Sequence, residues 1–177
     1  EIMEMTIARE RWQQHLKTRG QHYLDRATAL QAVHAQHPDV GAGTAALANQ
    51  ALAAVLEACR VGRLTRNQHV LFRLGELISA VETADTFSRR AAAMLDGDRY
   101  DKTPKRFDGH AWAAMARIFA REAAQKVALD GPRYVVGAAD AGGVPLTVPT
   151  DAITAAQAGL IADMDLVADI LYGRTAE

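Results

Sequence analysis

The longest helical pattern in the chain, residues 65–97, limits the possible folds more than any other feature of the sequence. Thr65 and Gln68 have the spacing of a capping box, and Gly97 stands where a left-handed residue commonly ends a helix. At about 1.5 Å per residue, this helix would be on the order of 45 Å long and would need several partner helices to cover it. Its apolar residues recur at steps of three and four: Val70, Leu71, Leu74, Leu77, Ile78, Val81, Ala84, Ala91, Met94 and Leu95.

Five other stretches of the chain have the same helical period. We predict helices over residues 2–17, 21–36, 45–61, about 103–130 and 150–172. The last of these has its own apolar stripe, and its carboxylates are predicted to face outward: Asp163, Asp165 and Asp169. No stretch has a convincing strand pattern. The sequence therefore predicts an all-α fold, an antiparallel bundle of about five to six helices.

Glycine and proline set apart the segment between the fifth helix and the last one. Thr103-Pro104 predicts the start of the fifth helix, with Asp108 as the alternative, and Gly131-Pro132 predicts its end. Further prolines push the residues before them toward extended geometry. We therefore expect residues 131–149 to form an extended linker that packs over the bundle.

Composition and charge narrow the class of protein. The 177 residues are enough for one domain with a real core, and a net charge of −1 argues against binding nucleic acid by bulk electrostatics. Cys59 is the single cysteine, so an internal disulfide is impossible and a reducing, cytoplasmic location is expected. Within its apolar pattern, Cys59 is expected to be a small buried residue. No apolar run approaches the roughly 20 residues of a membrane span, and we predict no stable membrane insertion.

The sequence contains no phosphate-binding loop and no nucleophile motif, and we predict no catalytic residue. His34, His37 and Asp39 would need to converge with a further ligand to hold a metal, and we predict no physiological metal site. Arg73 and Glu76 stand three residues apart in the strongest apolar helix. They form either an exposed ion pair worth about 0.3 kcal/mol or a partly buried pair at a bundle or subunit contact. We name both as structural or interface residues.

Two segments resemble parts of a known enzyme family. Residues 1–9, Glu-Ile-Met-Glu-Met-Thr-Ile-Ala-Arg, begin within a helical pattern, and the first two resemble the end of the Glu-Gly-Thr-Asn-Glu-Ile run of acyl-CoA dehydrogenases. Residues 68–76, Gln-His-Val-Leu-Phe-Arg-Leu-Gly-Glu, resemble a Gln-x-x-Leu-x-Arg-Leu-small-acidic segment in the C-terminal domain of the very-long-chain branch. The chain is thus similar to the C-terminal helical domain of a long, bacterial acyl-CoA dehydrogenase.

This resemblance implies a parent enzyme that oxidises a fatty acyl-CoA thioester to the 2-enoyl-CoA and passes the hydride to FAD. The glutamate base would lie four residues before Glu1, so the chain itself is expected to be inactive and to hold no cofactor. Glu1 alone would lie near the FAD of the parent protein. Residues 1–20 would end the final helix of the catalytic portion, and residues 21–177 would form the C-terminal helical bundle domain.

The resemblance also implies two partners, the catalytic core of the parent protein and a second copy in a homodimer. An alternative is a free-standing helical dimerisation or interaction module, which the alanine-rich helix faces and the lack of catalytic motifs favour. A third hypothesis is a ligand-binding bundle in which Trp112, Phe119 and Tyr134 line one pocket.

Overall fold

The computed structural model describes residues 2–98, 102, 107–138 and 143–174, and in these residues it contains helices and no strand. Two short 3-10 helices, Pro38–Val40 and Leu64–Arg66, lie between longer ones. The all-α prediction is confirmed. The α-helices of the described residues are α1 (Ile2–Lys17), α2 (Gln21–Gln36), α3 (Ala42–Val61), α4 (Gln68–Leu95), α5 (Gly109–Ala138), α6 (Thr150–Ala155) and α7 (Leu160–Tyr172).

Helices α2 to α5 alternate in direction. A Cβ built on Gly43 would lie 3.2 Å from the ring of His34, where the end of α2 meets the start of α3. Helix α5 runs along α3 in the same direction, because Gly41 lies against Arg117 and Gly131 lies against Val55. Helices α4 and α5 meet most extensively of all helix pairs. They run antiparallel, because Leu95 at the end of α4 lies against Gly109 at the start of α5. This part of the bundle has the up-and-down arrangement that the sequence predicted.

Helix α1 departs from that arrangement, because it runs in the same direction as α4. Its residue Glu4 contacts Gly75, and seven residues further along both helices Arg11 binds Glu82. A tight turn with positive φ at Arg19 (53°) and Gly20 (85°) then leads into α2, which continues along α4. The first two helices therefore lie one after the other on α4, rather than as an antiparallel pair.

Two groups of buried side chains form the core. The first is rich in large aliphatic residues from α3 and α4, and includes the ring of Tyr23 from α2. The second is mostly alanine, which allows close helix approach, and its alanines are Ala27, Ala42, Ala45, Ala46, Ala84, Ala91, Ala92, Ala113, Ala116, Ala120 and Ala123. Cys59 lies in the first group, as predicted, and burial raises the pKa of its thiol to about 12.

The ends of α4 test the predicted caps. The predicted start is wrong: Thr65 lies in a 3-10 turn, and the side chain of Asn67 accepts a hydrogen bond from the backbone N–H of His69 at 2.9 Å. Asparagine is a better N-cap than threonine, which explains the shift of two residues. The predicted end is confirmed, since Gly97 has φ of 89° and Asp98 donates its backbone N–H back to Ala93.

The fifth helix starts at one of the two predicted positions but ends later than predicted. Asp108 caps its start, accepting from the backbone N–H of Ala111 at 2.9 Å, whereas Thr103-Pro104 lies outside the described residues. The predicted end at Gly131-Pro132 is wrong, because α5 continues through Pro132 to Ala138. Burial of Val135 and of Gly131 supports this last stretch, and the packing outweighs the backbone hydrogen bond that proline cannot donate.

The predicted last helix is two helices. A turn over residues 156–159 ends with Gly159 at φ of 81°, and α7 begins directly after it. This break brings the number of α-helices in the described residues to seven rather than five to six. Within the expected linker 131–149, residues 131–138 are helical and residues 143–149 have no regular structure. Leu146 and Val148 from that stretch pack on the core.

No helix in the described ranges is both long and apolar enough to cross a lipid bilayer.

Candidate functional site

A groove of about 610 Å³ runs along α4 between α1 and the start of α5. Volumes of this size are typical of sites that bind small molecules or peptide segments. Its lining combines an apolar floor with polar side chains, and consists of Ile7, Arg11, Ser79, Glu82, Thr83, Thr86, Phe87, Arg90 and Trp112. We call this feature the α4 groove.

Aromatic rings form the floor of the α4 groove near α5. Phe87 and Trp112 meet edge to face with ring centroids 5.2 Å apart. The ring of Phe119, about two turns further along α5 than Trp112, has its centroid 6.0 Å from that of Phe87. The indole nitrogen of Trp112 is buried and has no hydrogen-bond partner among the described residues. These rings supply the apolar contact area that a docked side chain or ligand needs.

A polar network fixes the α1 side of the groove. The guanidinium of Arg11 donates to both carboxylate oxygens of Glu82, at 2.5 and 3.0 Å, and the hydroxyl of Tyr23 donates to the same carboxylate at 3.0 Å. Burial acts to raise the pKa of Glu82, but the hydrogen bond and charge of Arg11 outweigh it and hold that pKa below its usual value. Glu82 is therefore held ionised, which suits a binding or positioning role better than proton transfer.

One turn further along α4, Asp85 is buried and bound from two sides. Arg26 of α2 donates to one carboxylate oxygen at 2.8 Å, and Arg89 donates to the other at 2.5 Å. Together with Glu82, this residue ties α1 and α2 to α4. The sequence contained a signal for the pair: two carboxylates three residues apart, directly beside the buried Val81 and Ala84.

The predicted interface pair lies elsewhere on α4. The Arg73 guanidinium donates to the Glu76 carboxylate, and both side chains are partly exposed. Lys126 of α5 reaches the other oxygen of Glu76 at 3.9 Å. The pair therefore sits at the contact between α4 and α5, away from the lining of the α4 groove. Glu1, the predicted residue near the cofactor, lies outside the described residues.

The candidate metal ligands have other contacts. The ring of His37 lies 3.2 Å from a carboxylate oxygen of Asp96, and the backbone oxygen of Asp39 accepts from Arg117 at 2.5 Å. The His34 ring packs against Gly43. Within the part of the chain that the structure describes, no group of three or more histidine, cysteine or carboxylate side chains is arranged to bind a metal ion.

The three aromatic residues of the ligand-bundle hypothesis do not line one pocket, so that prediction is wrong. Trp112 lines the α4 groove, whereas Tyr134 lines a hollow of about 310 Å³ near the start of α4. The Tyr134 ring meets His69 edge to face, with centroids 6.2 Å apart. Tyr134 was expected to lie in the linker beyond Gly131-Pro132. Because α5 continues to Ala138 instead, Trp112 and Tyr134 stand on one helix about 33 Å apart.

A second ion-pair cluster, centred on Asp163 of α7, corrects another prediction. Asp163 was expected to face outward, yet it is buried and accepts hydrogen bonds from Arg117, at 2.9 Å for one of them, and from Arg121. Arg121 also donates to the backbone oxygens of Ala156 (2.9 Å) and Ala158 (2.7 Å), just before α7. We call this cluster the Asp163 clasp. It fixes α7 against α5 through charge.

No family, curated protein or solved structure matches this chain.

Proposed function

We propose that the chain is a non-catalytic helical domain of the acyl-CoA dehydrogenase type, which packs on an FAD-dependent catalytic core and helps to assemble a homodimer. The parent protein would oxidise a fatty acyl-CoA to the 2-enoyl-CoA. The resemblance of residues 68–76 and of residues 1–9 suggests this family. The proposal does not assign chemistry to any described residue.

One observation carries the structural part of the proposal: α1 is locked onto α4. A Cβ on Gly75 would lie 2.6 Å from the backbone oxygen of Glu4, so glycine allows the two helices to meet backbone to backbone. Seven residues on, the pair of hydrogen bonds from Arg11 to Glu82 fixes the same contact. A catalytic portion that continued into α1 would therefore be held rigidly to the bundle.

The segment that resembles the family lies in this contact. Residues 68–76 form the first turns of α4, and their last two members are Gly75, which meets α1, and Glu76, which meets Lys126 of α5. Arg73 also forms an ion pair with Glu76. The small and acidic positions of the segment thus have identifiable packing roles, as a domain whose work is structural would require.

In this proposal FAD and the catalytic glutamate belong to the portion of the parent before Glu1, and Glu1 is the one residue of the chain near the flavin. The test is the reading frame upstream of the codon for Glu1. It is expected to encode a Glu-Gly-Thr-Asn-like run and a flavin-binding portion. A frame without them would overturn the proposal.

The complete translation product and residues 1–177 are then purified side by side. The complete product is expected to show flavin absorbance and to reduce a dye in the presence of acyl-CoA. Residues 1–177 alone are expected to do neither. FAD bound one to one by residues 1–177 would contradict the assignment of the cofactor site to the preceding portion.

A second candidate function is a free-standing interaction module. The observation that favours it is the exposed apolar surface of α7, where Ile161 and Tyr172 are 67 % and 74 % exposed. Exposed apolar surface of this kind marks contact sites on proteins. An upstream frame without a flavin-binding portion, together with self-association of the chain, would favour this candidate over the first.

A further inference from the structure

A hollow of about 310 Å³ lies where the start of α4 meets the last turns of α5, and it shares no lining residue with the α4 groove. Its volume is near the lower end of the range for sites that bind small molecules. We call this feature the Tyr134 hollow. At the start of α4 it is lined by Asn67, His69 and Val70, and on α5 its lining includes Arg133, Tyr134 and Gly137.

The polar side chains that line the Tyr134 hollow can all donate hydrogen bonds, and none of them is a carboxylate. They are the guanidinium of Arg133, the amide of Asn67, the imidazole of His69 and the hydroxyl of Tyr134. The side-chain oxygen of Asn67 caps α4, whereas its NH2 group has no partner among the described residues. A lining of donors without a carboxylate favours an anionic ligand.

Arg133 supplies the strongest of these donors. It is exposed, and none of the described carboxylates forms an ion pair with it. Asp130, three residues earlier on α5, accepts a hydrogen bond from Lys126 at 2.8 Å instead. The planar guanidinium of an arginine without a partner can bind two oxygens of one phosphate or carboxylate group.

The turn before α4 adds positive charge beside the hollow. Residues 58–75 contain several arginines but no aspartate or glutamate. Two of these arginines, Arg63 and Arg66, directly precede Asn67 in the structure, are exposed and form no ion pair within the described part of the chain. Positive charge concentrated at one place raises the local concentration of an anion.

A phosphate monoester matches these donors better than a carboxylate does. A phosphate group carries close to two negative charges near neutral pH and has three acceptor oxygens. Arg133 can bind two of these oxygens, and Asn67 and His69, at the start of α4, can donate to the third. The rings of His69 and Tyr134 meet edge to face, with centroids 6.2 Å apart, and give the organic part of a ligand an apolar wall.

Gly137 leaves space in this hollow. A Cβ built on Gly137 would meet no heavy atom within 4 Å. A larger side chain at this position therefore causes no clash with the protein, but it occupies space that a ligand would need.

We propose that the Tyr134 hollow binds the phosphate group of a small organic phosphate monoester, with Arg133 as the main contact. The inference goes beyond the proposed function. It rests on the lining of the hollow and does not depend on a flavin-binding parent.

The first test measures the binding of two probes, phenyl phosphate and benzoate, to residues 1–177 by isothermal titration calorimetry. Phenyl phosphate is expected to bind with a dissociation constant of about 1 mM or less, and benzoate at least about tenfold more weakly. Inorganic phosphate is expected to displace phenyl phosphate. Absence of saturable phenyl phosphate binding at about 10 mM, equal affinity for benzoate, or failure of inorganic phosphate to compete would overturn the proposal.

The second test compares two arginines by the same charge change. Arg133→Gln is expected to weaken phenyl phosphate binding by about tenfold or more, because it removes the guanidinium from the lining. Arg9→Gln is the matched control, since Arg9 is exposed on α1 and does not line the hollow. It is expected to leave the affinity unchanged. Equal weakening by both variants would indicate attraction to overall charge and would overturn the proposal.

The third test fills the hollow without removing a donor. Gly137→Leu is expected to abolish phenyl phosphate binding while it preserves helix content, because leucine favours a helix more than glycine does. Val136→Leu alters the neighbouring exposed residue, which is outside the lining, and is expected to leave binding unchanged. Full affinity in Gly137→Leu would mean that the ligand binds elsewhere and would overturn the proposal. Circular dichroism of all variants checks the fold.

Discussion

Helices α4 and α7 have similar apolar patterns in the sequence, but the structure treats them differently. In α4 the predicted stripe is buried, and Leu74, Leu77 and Ile78 are among the most completely covered side chains of the chain. In α7 the predicted stripe is largely exposed, while a predicted outward carboxylate, Asp163, is 8 % exposed. One helix is placed by its apolar face, and the other is placed mainly by a charged residue.

The number of neighbours explains this difference. Helix α4 contacts α1, α3 and α5 extensively, so its wide stripe meets apolar side chains in several directions. Helix α7 packs chiefly on α5 and can bury only one narrow face. Arg117 and Arg121 determine which face of α7 is buried, because both pair with Asp163. A buried guanidinium without a carboxylate partner would lower the stability of the folded chain. Charge pairing thus decides orientation where apolar surface is in excess.

The largest expected effect tests the apolar side of this comparison. Ile78→Ala removes a fully buried side chain of α4 and leaves a cavity between helices, so we expect a loss of about 3 kcal/mol in the free energy of unfolding. Chemical denaturation followed by circular dichroism measures it. A loss below about 1 kcal/mol would mean that α4 is less tightly covered than the structure indicates.

The second-largest expected effect tests whether the ion pairs of Asp163 hold α7 in place. Asp163→Asn keeps the shape of the side chain but removes the charge that pairs Arg117 and Arg121, and we expect a loss of about 2 kcal/mol. Because Asp163 anchors α7 to α5, hydrogen exchange should rise first in α7 and the turn before it. Exchange that rises equally in α4 would show that α7 is not held separately.

The pH dependence of stability should separate the first helices from the last. Burial lowers the pKa of His15, although Glu57 opposes the shift, so the unfolded chain takes up a proton that the buried ring does not. Stability is therefore expected to fall as pH drops below about 6.5, until the folded ring itself becomes protonated. His22, whose pKa burial also lowers, adds to the same slope.

The Asp163 clasp should respond only at lower pH. Burial acts to raise the pKa of Asp163, but hydrogen bonds from Arg117 and Arg121 outweigh it and hold the pKa below its usual value. Its contribution is present above about 3.9 and is lost as pH falls through the lower folded pKa. Denaturation series from pH 7 downward, with and without His15→Gln, check the order: the variant should lose part of the slope near pH 6 only.

The smallest expected effect completes the comparison of the two helices. Ile161→Ala makes the same substitution as Ile78→Ala, but in the exposed stripe of α7, and should change the stability of the monomer by no more than about 0.5 kcal/mol. Denaturation at low protein concentration measures it. A loss near that of Ile78→Ala would mean that Ile161 is covered within a single chain.

Much of the helical framework could be predicted from the sequence, because helix period and caps are local properties. Residues 68–95 form the predicted long helix, and Gly97 ends it with the predicted left-handed geometry. The start of α4 was predicted less accurately, because Thr65 and Asn67 are both plausible N-caps and stand only two residues apart. The predicted end of the fifth helix at Pro132 is wrong for a different reason. Proline disfavours a helix locally, but the packing of Gly131 against Val55 of α3 outweighs that effect.

The candidate site could be predicted only in fragments. Arg11, Phe87 and Trp112 are widely separated in the chain and meet only because α1, α4 and α5 pack together. Likewise, the residues of the Asp163 clasp are 42 and 46 positions apart, a separation at which sequence spacing carries no geometric information. Arg73 and Glu76 were found because they are neighbours on one helix.

The positions of most helices, the burial of Cys59 and the segments that break the pattern could be predicted from local sequence, because these properties depend on neighbours within a few residues. The tertiary structure decided which apolar faces are covered, that α1 runs along α4 in the same direction, and that Asp163 turns inward. Periodicity defines the faces of a helix but not the number of helices that will meet them. Burial and charge pairing between distant residues make that choice, and they leave one face of α7 open.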